Sequence, residues 1–215
     1  VSPQGYKRGW NISAEATKAP DTDFFKEIIK DLKIKYPNAD LSGVSMVGFS
    51  NGAGYIFRLL IEIDDVNLIK RVVAMVSSME TGQYHDDSFW QRSDDQDGNY
   101  DLKKKPVTKS SMLTVHGTED RVVPYNGGKR GRNAVHLSAQ DTAFYWAQNN
   151  GFKGEKISDG KGKEISQGII SYAYKKANVT HLKVIDAGHG LGPKGEKINP
   201  MINDFIRTGK IKRSY

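Results

Sequence analysis

The 215-residue chain contains no cysteine. Disulfide bonds, thiolate metal ligands and a cysteine nucleophile are therefore excluded together. Long apolar runs are also missing, since no segment approaches the roughly 18 apolar residues of a membrane-spanning helix. We therefore expect no membrane partner. The sequence begins at Val1 with neither a charged leader followed by an apolar run nor a small-residue cleavage site. We therefore expect any export signal to lie outside this sequence.

A concentration of the basic residues in one region is also lacking, although the formal net charge is +7 and the isoelectric point is near 9.3. Lysine and arginine are scattered along the chain, usually beside aspartate or glutamate, and the densest basic cluster is Lys129, Arg130 and Arg132. No nucleic-acid recognition motif accompanies them. We expect a solvated basic surface and no nucleic-acid partner.

The aspartate-rich run 94–101 invites a calcium-loop interpretation. If Gly98 takes the place of the invariant loop glycine, Ser93 falls at the first ligand position and Lys104 at the twelfth, where a bidentate glutamate belongs. A lysine cannot ligate calcium there, so a solvated loop is favoured. No H-E-x-x-H or other metal spacing occurs either. The sequence predicts no metal and no cofactor.

Apolar residues recur at helical and strand spacings along the whole chain. The predicted helices are 23–32, 53–63, 138–149 and a last helix that has Asn199 as its cap and Pro200 at its first position and ends near Thr208. The predicted strands are 44–49, 72–76, 111–116, 168–174 and 180–185. Alternating strands and helices predict an α/β fold with a mostly parallel sheet flanked by helices, in one domain over residues 1–215. The polar stretch 81–110 is predicted to be an ordered excursion between strands.

The segment Gly48 to Gly52 has the pattern G-x-S-x-G at the junction of a predicted strand and a predicted helix. This pattern is typical of a nucleophile elbow, in which a strained turn lifts the hydroxyl of Ser50 above the sheet. Glycines are expected on either side because a side chain would not fit there. An ordinary glycine-rich turn is the alternative, and the flanking strand and helix favour the elbow.

A serine hydroxyl needs a base to remove its proton and a third group to orient that base. Asp120 follows the end of a predicted strand, and His189 lies in a glycine-flanked loop after the last strand. The order serine, aspartate, histidine is that of α/β-hydrolases. Glu119 and Asp186 are the alternatives for the acid.

Four other histidines compete with His189 as functional residues. His116 ends a predicted strand in the Asp120 loop, and we interpret it as structural. The remaining three lack a glycine-flanked setting and are expected at the surface or in packing positions; they are His85, His136 and His181.

Five segments together resemble one known family, and they are Gly9–Asn11, Gly48–Gly52, His116–Tyr125, the helix with Trp146 and Asn149–Gly151, and Gly188–His189. On these segments the chain resembles the secreted polyhydroxybutyrate depolymerases and the feruloyl and acetylxylan esterases. The resemblance implies an α/β-hydrolase fold and a secreted or periplasmic location. It also implies that Ser50 is the nucleophile, Asp120 the orienting acid and His189 the general base of a carboxylesterase.

The chain departs from this family at two places. Members carry further strands upstream of the segment matched by Val1 to Asn11, and a His-Gly loop that supplies one oxyanion-hole N–H. We expect this chain to lack both and to be part of a longer protein. A shortened N-terminal portion with a differently built oxyanion hole is the alternative. The backbone N–H of Asn51, the residue after the nucleophile, is predicted to be the other oxyanion donor. After His189 many relatives have Trp-Pro-Gly where this chain has Leu191 to Gly195, so an aromatic wall is expected to be missing.

Tyr125, Trp90 and Arg130 are predicted to contact substrate, because aromatic and guanidinium side chains near a nucleophile suit ester and carbohydrate partners. Solvation of the basic loop and packing of the aromatic residues are the alternatives. The predicted function is a serine carboxylic ester hydrolase acting on short-chain or hydroxycinnamoyl esters, such as those of plant polysaccharide. A polyhydroxyalkanoate depolymerase, a non-catalytic carbohydrate- or polymer-binding relative, and a peptidase or acyltransferase on the same scaffold remain as alternatives.

Overall fold

A computed structural model of the chain describes residues 1–13, 17, 19–93, 99–130 and 134–211. Most of the aspartate-rich run that was interpreted as a solvated loop lies outside these residues. Within them, no helix combines the length and the apolar character needed to cross a membrane.

Helices and strands alternate along the described chain, as the sequence predicts. The helices are α1 (Asp21–Lys35), α2 (Asn51–Glu62), α3 (Ala139–Asn149) and α4 (Lys194–Thr208). The strands in the described residues are β1 (Val44–Phe49), β2 (Ile69–Met75), β3 (Tyr84–His85), β4 (Ser88–Gln91), β5 (Leu102–Lys104), β6 (Ser111–Gly117), β7 (Gly128–Arg130), β8 (Ala134–His136), β9 (Lys163–Ser166), β10 (Ile169–Tyr174) and β11 (Val179–Val184). Short 3₁₀ turns lie at Tyr6–Arg8, Asp159–Lys161 and Lys175–Ala177.

In the described part of the chain the central sheet has six strands in the order β1-β2-β6-β11-β10-β9. The first four strands are parallel, and β10 and β9 extend the sheet in antiparallel fashion. The register pairs Met75 with both Phe49 and Val115, so the carboxyl ends of neighbouring strands lie level. The predicted α/β architecture with a mostly parallel sheet is confirmed.

Helices cover both faces of the sheet. Val72 contributes to an apolar cluster with α1, α2 and α3, in which Phe57 stacks on Trp146. The next residue, Val73, belongs to a second cluster with α4 that includes Phe205. Burial on both faces of β2 explains why Val72 to Met75 form a continuous apolar run in the sequence.

The excursion 81–110 forms a small antiparallel sheet of β3, β4 and β5. Its aromatic residues pack against α3. The ring of Phe89 lies 4.7 Å from that of Trp146, and Tyr84 stacks on Tyr145 at 4.0 Å. The excursion is therefore attached to the main core through buried aromatic contacts.

Helix α4 begins at Lys194, five residues before the predicted cap Asn199, and Pro200 lies inside it. The prediction of a start at Pro200 is wrong. A proline at this position removes the N–H that would bond to the carbonyl of Glu196. The helix nevertheless begins before the proline, and Ile198 in this first part is fully buried in the core. Apolar positions at helical spacing thus continue across the proline.

Removal of a core side chain from α2 tests this packing. Ile61 is 1% exposed, so Ile61→Ala leaves a cavity and should lower the free energy of unfolding by about 2 to 5 kcal/mol. Ile34 in α1 is 72% exposed, so the matched change Ile34→Ala should alter it by less than about 0.5 kcal/mol. Urea unfolding measures both, and equal effects would contradict the assigned faces of the two helices.

Candidate active site

Three predicted residues follow three strands at the same edge of the sheet. Ser50 comes directly after β1, Asp120 comes three residues after β6, and His189 comes five residues after β11. These strands are parallel, so their carboxyl ends share one edge. Loops at this edge form the binding crevice of open α/β sheets.

Ser50 lies on a strained turn between β1 and α2. Its φ is 53° and its ψ is −119°, which a residue with a side chain rarely adopts. Its N–H donates to the carbonyl of Met75 in the neighbouring strand at 2.9 Å. The turn brings Gly48 so close to Gly52 that a Cβ on Gly48 would lie 2.5 Å from the carbonyl oxygen of Gly52.

Only one of the two predicted glycine constraints is therefore met. Gly48 has no room for a side chain, whereas a Cβ on Gly52 would meet nothing within 4 Å. The expectation that Gly52 is required by close packing is wrong for this structure, because that position opens to free space.

A continuous hydrogen-bond chain joins the three residues. His189 Nε2 lies 2.9 Å from Ser50 Oγ, and His189 Nδ1 lies 2.8 Å from Asp120 Oδ2. The carboxylate can only accept, so Nδ1 donates and Nε2 is left to accept the Ser50 hydroxyl proton. The Phe49 ring meets the imidazole edge-on at 5.4 Å between centroids.

The Asp120 side chain is 0% exposed and is surrounded by donors. Its Oδ1 accepts the N–H groups of Val122 and Val123 at 2.8 and 2.9 Å. Its Oδ2 accepts from His189 and lies 3.2 Å from His116 Nε2. Burial alone would raise the pKa of Asp120, but the hydrogen bonds from His116, His189 and the two backbone groups hold it well below its ordinary value. The carboxylate is therefore ionised near neutral pH.

The two alternative acids make different contacts. The N–H of Glu119 donates to the carbonyl of Ala187, and the N–H of Asp186 donates to Thr118 Oγ1, both at 2.9 Å. Both bonds join the loop after β6 to the loop after β11, and both use the backbone N–H of the residue, not its carboxylate. The carboxylate that reaches His189 belongs to Asp120.

Several residues besides Ser50 have unusual backbone angles at this edge. Val76, directly after β2, has a φ of 49°, which is rare for a β-branched residue. Asp186 and Leu191, which flank His189, have φ values of 52° and 58°. Backbone strain of this kind concentrates at functional sites, so its position supports the edge as the candidate active site.

Asn51, the predicted oxyanion donor, is the first residue of α2. Its backbone N–H therefore has no acceptor within the helix. Its side chain makes two bonds to the backbone of Trp10, accepting from N at 2.8 Å and donating to O at 2.9 Å. The Trp10 ring stacks on Tyr55 at 4.4 Å. The side chain thus attaches the N-terminal segment to the elbow, a role that the sequence analysis missed.

The three predicted substrate residues have different surroundings. Tyr125 is 5% exposed, and its hydroxyl bonds His181 Nε2 at 3.0 Å, so its burial argues against direct substrate contact. Trp90 stacks on His85 at 4.5 Å and donates Nε1–H to the carbonyl of the same residue. Arg130 belongs to β7 through its backbone, and its side chain lies outside the described part of the structure. Substrate contact by Trp90 and Arg130 stays a prediction.

His116 is a second residue whose contacts were not predicted from the sequence. It is fully buried, and its Nε2 lies close to both Asp120 Oδ2 and the Val123 carbonyl. The spacing of four residues between His116 and Asp120 across a tight turn is the signal that could have indicated this contact. Among all the described residues, the active-site edge included, no cluster of three or more histidine, aspartate or glutamate side chains could hold a metal ion.

Comparison with known proteins gives a distant similarity to an esterase. The chain is 28% identical over 152 residues to "Feruloyl esterase B" of Piromyces equi, and the aligned part covers 69% of this chain. It spans only 25% of the length of that relative. No family model matches the chain. The similarity supports a relationship to esterases.

The hydrogen bonds to Asp120 predict how stability depends on pH. Its pKa is lowered in the folded state, compared with about 3.9 in the unfolded state. Its contribution to stability is therefore complete above pH 4 and is lost as the pH falls below the unfolded-state value. Urea unfolding should give a difference in stability between pH 7 and pH 2.5 that is larger for wild type than for Asp120→Asn by on the order of 2 kcal/mol.

Asp186→Asn provides the control for this measurement, because Asp186 is exposed in the neighbouring loop and asparagine also tolerates a positive φ. This variant should keep the wild-type dependence on pH. If Asp120→Asn kept it as well, the ionised, hydrogen-bonded state assigned to Asp120 would be wrong.

Proposed function

We propose that the chain is a serine carboxylic ester hydrolase of the α/β-hydrolase type. The observation that carries the proposal is the hydrogen-bond chain from Ser50 through His189 to the buried carboxylate of Asp120, with Ser50 on a strained strand-to-helix turn. Such a chain supplies the base and the orienting group that a serine hydroxyl needs to act as a nucleophile. The similarity to a feruloyl esterase supports the same reaction class.

Acylation begins when Ser50 Oγ attacks the ester carbonyl carbon while His189 Nε2 takes the hydroxyl proton. Asp120 accepts the Nδ1–H and stabilises the imidazolium that forms. The carbonyl oxygen becomes an oxyanion, which accepts the backbone N–H of Asn51. The tetrahedral intermediate then expels the alcohol oxygen, which takes the proton from His189, and an acyl ester remains on Ser50.

Deacylation uses the same groups with water as the nucleophile. His189 removes a proton from the water as its oxygen attacks the acyl carbon. The second tetrahedral intermediate collapses, the bond to Ser50 Oγ breaks, and His189 returns its proton to that oxygen. The carboxylic acid leaves, and the free enzyme is restored with no net change in protons on the triad.

The proposed substrates are short-chain or hydroxycinnamoyl esters on a carbohydrate. The partly exposed Phe49 ring beside His189 offers an apolar contact next to the reacting carbonyl. The name of the relative from Piromyces equi points to a hydroxycinnamoyl acyl group. In the described residues near Ser50 we identify no extended apolar lid, which long-chain substrates would favour.

Replacement of the nucleophile tests the reaction. Ser50→Ala should lower kcat for p-nitrophenyl acetate by roughly 10⁵ to 10⁶ while the protein remains folded. Ser45→Ala is the matched control, since Ser45 is exposed on the same strand and should keep full activity. If Ser50→Ala retained more than about a tenth of wild-type activity, or if wild type turned over no ester, the proposal would be wrong.

An ester series tests the substrate class. With p-nitrophenyl acetate, butyrate, octanoate and palmitate, kcat/KM should fall steeply beyond about eight carbons, because an open site without a lid buries little of a longer chain. Methyl ferulate should be hydrolysed with kcat/KM at least as high as that of methyl palmitate. A preference for palmitate over acetate and butyrate would exclude the proposed substrate class while leaving the Ser50 result unaffected.

A further inference from the structure

His116 is a fully buried histidine at the end of β6, just before the loop that carries Asp120. Its Nε2 lies 2.9 Å from the Val123 carbonyl oxygen and 3.2 Å from Asp120 Oδ2. A carbonyl and a carboxylate are both acceptors, so Nε2 must carry a hydrogen that the two oxygens share.

The other ring nitrogen of His116 plays no part in these contacts. Within the described structure, Nδ1 is buried and has no hydrogen-bond partner. Nε2–H is therefore the group through which His116 makes its hydrogen bonds.

Other titratable groups also lie near His116. From the loop after β6, Tyr125 meets its ring edge-on at 5.7 Å, and burial raises the pKa of Tyr125. From β11, His181 bonds Tyr125, and burial, followed by the nearby His116 and Lys183, lowers the pKa of His181 to about 3. Lys183 is paired with Asp159 at 2.7 Å. Among these groups, the Asp120 carboxylate is the charged group in contact with His116.

We propose that His116 is a positioning residue for Asp120. Its Nε2–H fixes the Oδ2 oxygen in the direction of His189 and withdraws part of the negative charge that His189 experiences. His116 also bonds the Val123 carbonyl, whose own N–H donates to Asp120 Oδ1, so one ring holds both the carboxylate and the turn around it. This inference rests on the proposed function, since it assigns a role in orienting the general base.

Loss of the His116 donor has an effect with a definite sign. Asp120 Oδ2 would keep more negative charge, and a protonated His189 ring would be more stable beside it. His189 would then bind its proton up to a higher pH, so the acidic limb of the kcat/KM profile should move upwards in pH. A less firmly oriented carboxylate should also lower kcat without weakening substrate binding.

Three variants separate positioning from packing. His116→Phe keeps a ring but removes both nitrogens, whereas His116→Gln keeps an amide N–H near the position of Nε2. His181→Phe is the matched control, because His181 is also a fully buried histidine with two hydrogen bonds, to Thr114 and Tyr125. In each variant the His189 ring is titrated by NMR with labelled histidine, and kcat, KM and thermal unfolding are measured.

His116→Phe should raise the titration midpoint of His189 and the midpoint of the acidic limb by roughly half a pH unit or more, because one donor to a buried carboxylate is lost. Its kcat should fall about tenfold with KM within twofold of wild type. His116→Gln should restore both midpoints. His181→Phe should lower the unfolding temperature but leave both midpoints unchanged.

If His116→Phe does not fold, His116→Asn replaces it, since its shorter amide lies near Nδ1 and does not reach Asp120. Unchanged midpoints with reduced stability would overturn the positioning role and make His116 purely structural. A shifted NMR midpoint in a protein without esterase activity would overturn the proposed function and leave the contact of His116 with Asp120 intact. The two failures are therefore distinguishable.

Discussion

Asp120 carries a negative charge at a position that water does not reach. An ionised carboxylate is costly to bury unless hydrogen bonds replace its hydration. The chain supplies four donors, two from the backbone of the following turn and two from the imidazoles of His116 and His189. The shape of the loop after β6, the direction of the His189 ring and the availability of Nε2 to Ser50 all follow from satisfying this one group.

The loops after β6 and β11 are joined so that the distance from Asp120 to His189 is fixed. The N–H of Glu119 bonds the carbonyl of Ala187, and the N–H of Asp186 bonds the Thr118 hydroxyl. Gly117 allows this approach, since a Cβ there would lie 2.1 Å from the Ala187 carbonyl oxygen. The two loops therefore behave as one unit carried by adjacent parallel strands.

Much of the fold could be predicted because its signals are local. The strand 44–49 and the helices around it could be predicted with bounds close to those in the structure, since a short apolar segment runs directly into a helical pattern at the G-x-S-x-G turn. Several strands were not predicted, including the three short strands of the excursion 81–110. Strand β9 lies at a sheet edge with partly exposed residues, and β7 and β8 form a short pair in a basic loop, so none of them has an apolar signal.

Some features of the candidate site could likewise be predicted from the sequence, and others could not. The positions of Ser50, Asp120 and His189 after predicted strands could be inferred, and the structure brings the three side chains together. The burial of Tyr125 and the hydrogen bonds between Asn51 and Trp10 could not be inferred, because both depend on contacts between residues distant in sequence. Pro200 misled the prediction of α4 because a proline at the start of a helix is common, while one inside depends on tertiary packing.

The most direct test of the central claim is covalent labelling of Ser50, the proposed nucleophile. A fluorophosphonate reacts with an activated serine hydroxyl, and mass spectrometry of the intact and digested protein locates the adduct. We predict a single adduct on the peptide that contains Ser50, with labelling abolished in Ser50→Ala and strongly slowed in His189→Ala. Labelling of another serine in the folded wild-type protein, or none at all, would contradict the assignment of Ser50, His189 and Asp120 as a working hydrolase site.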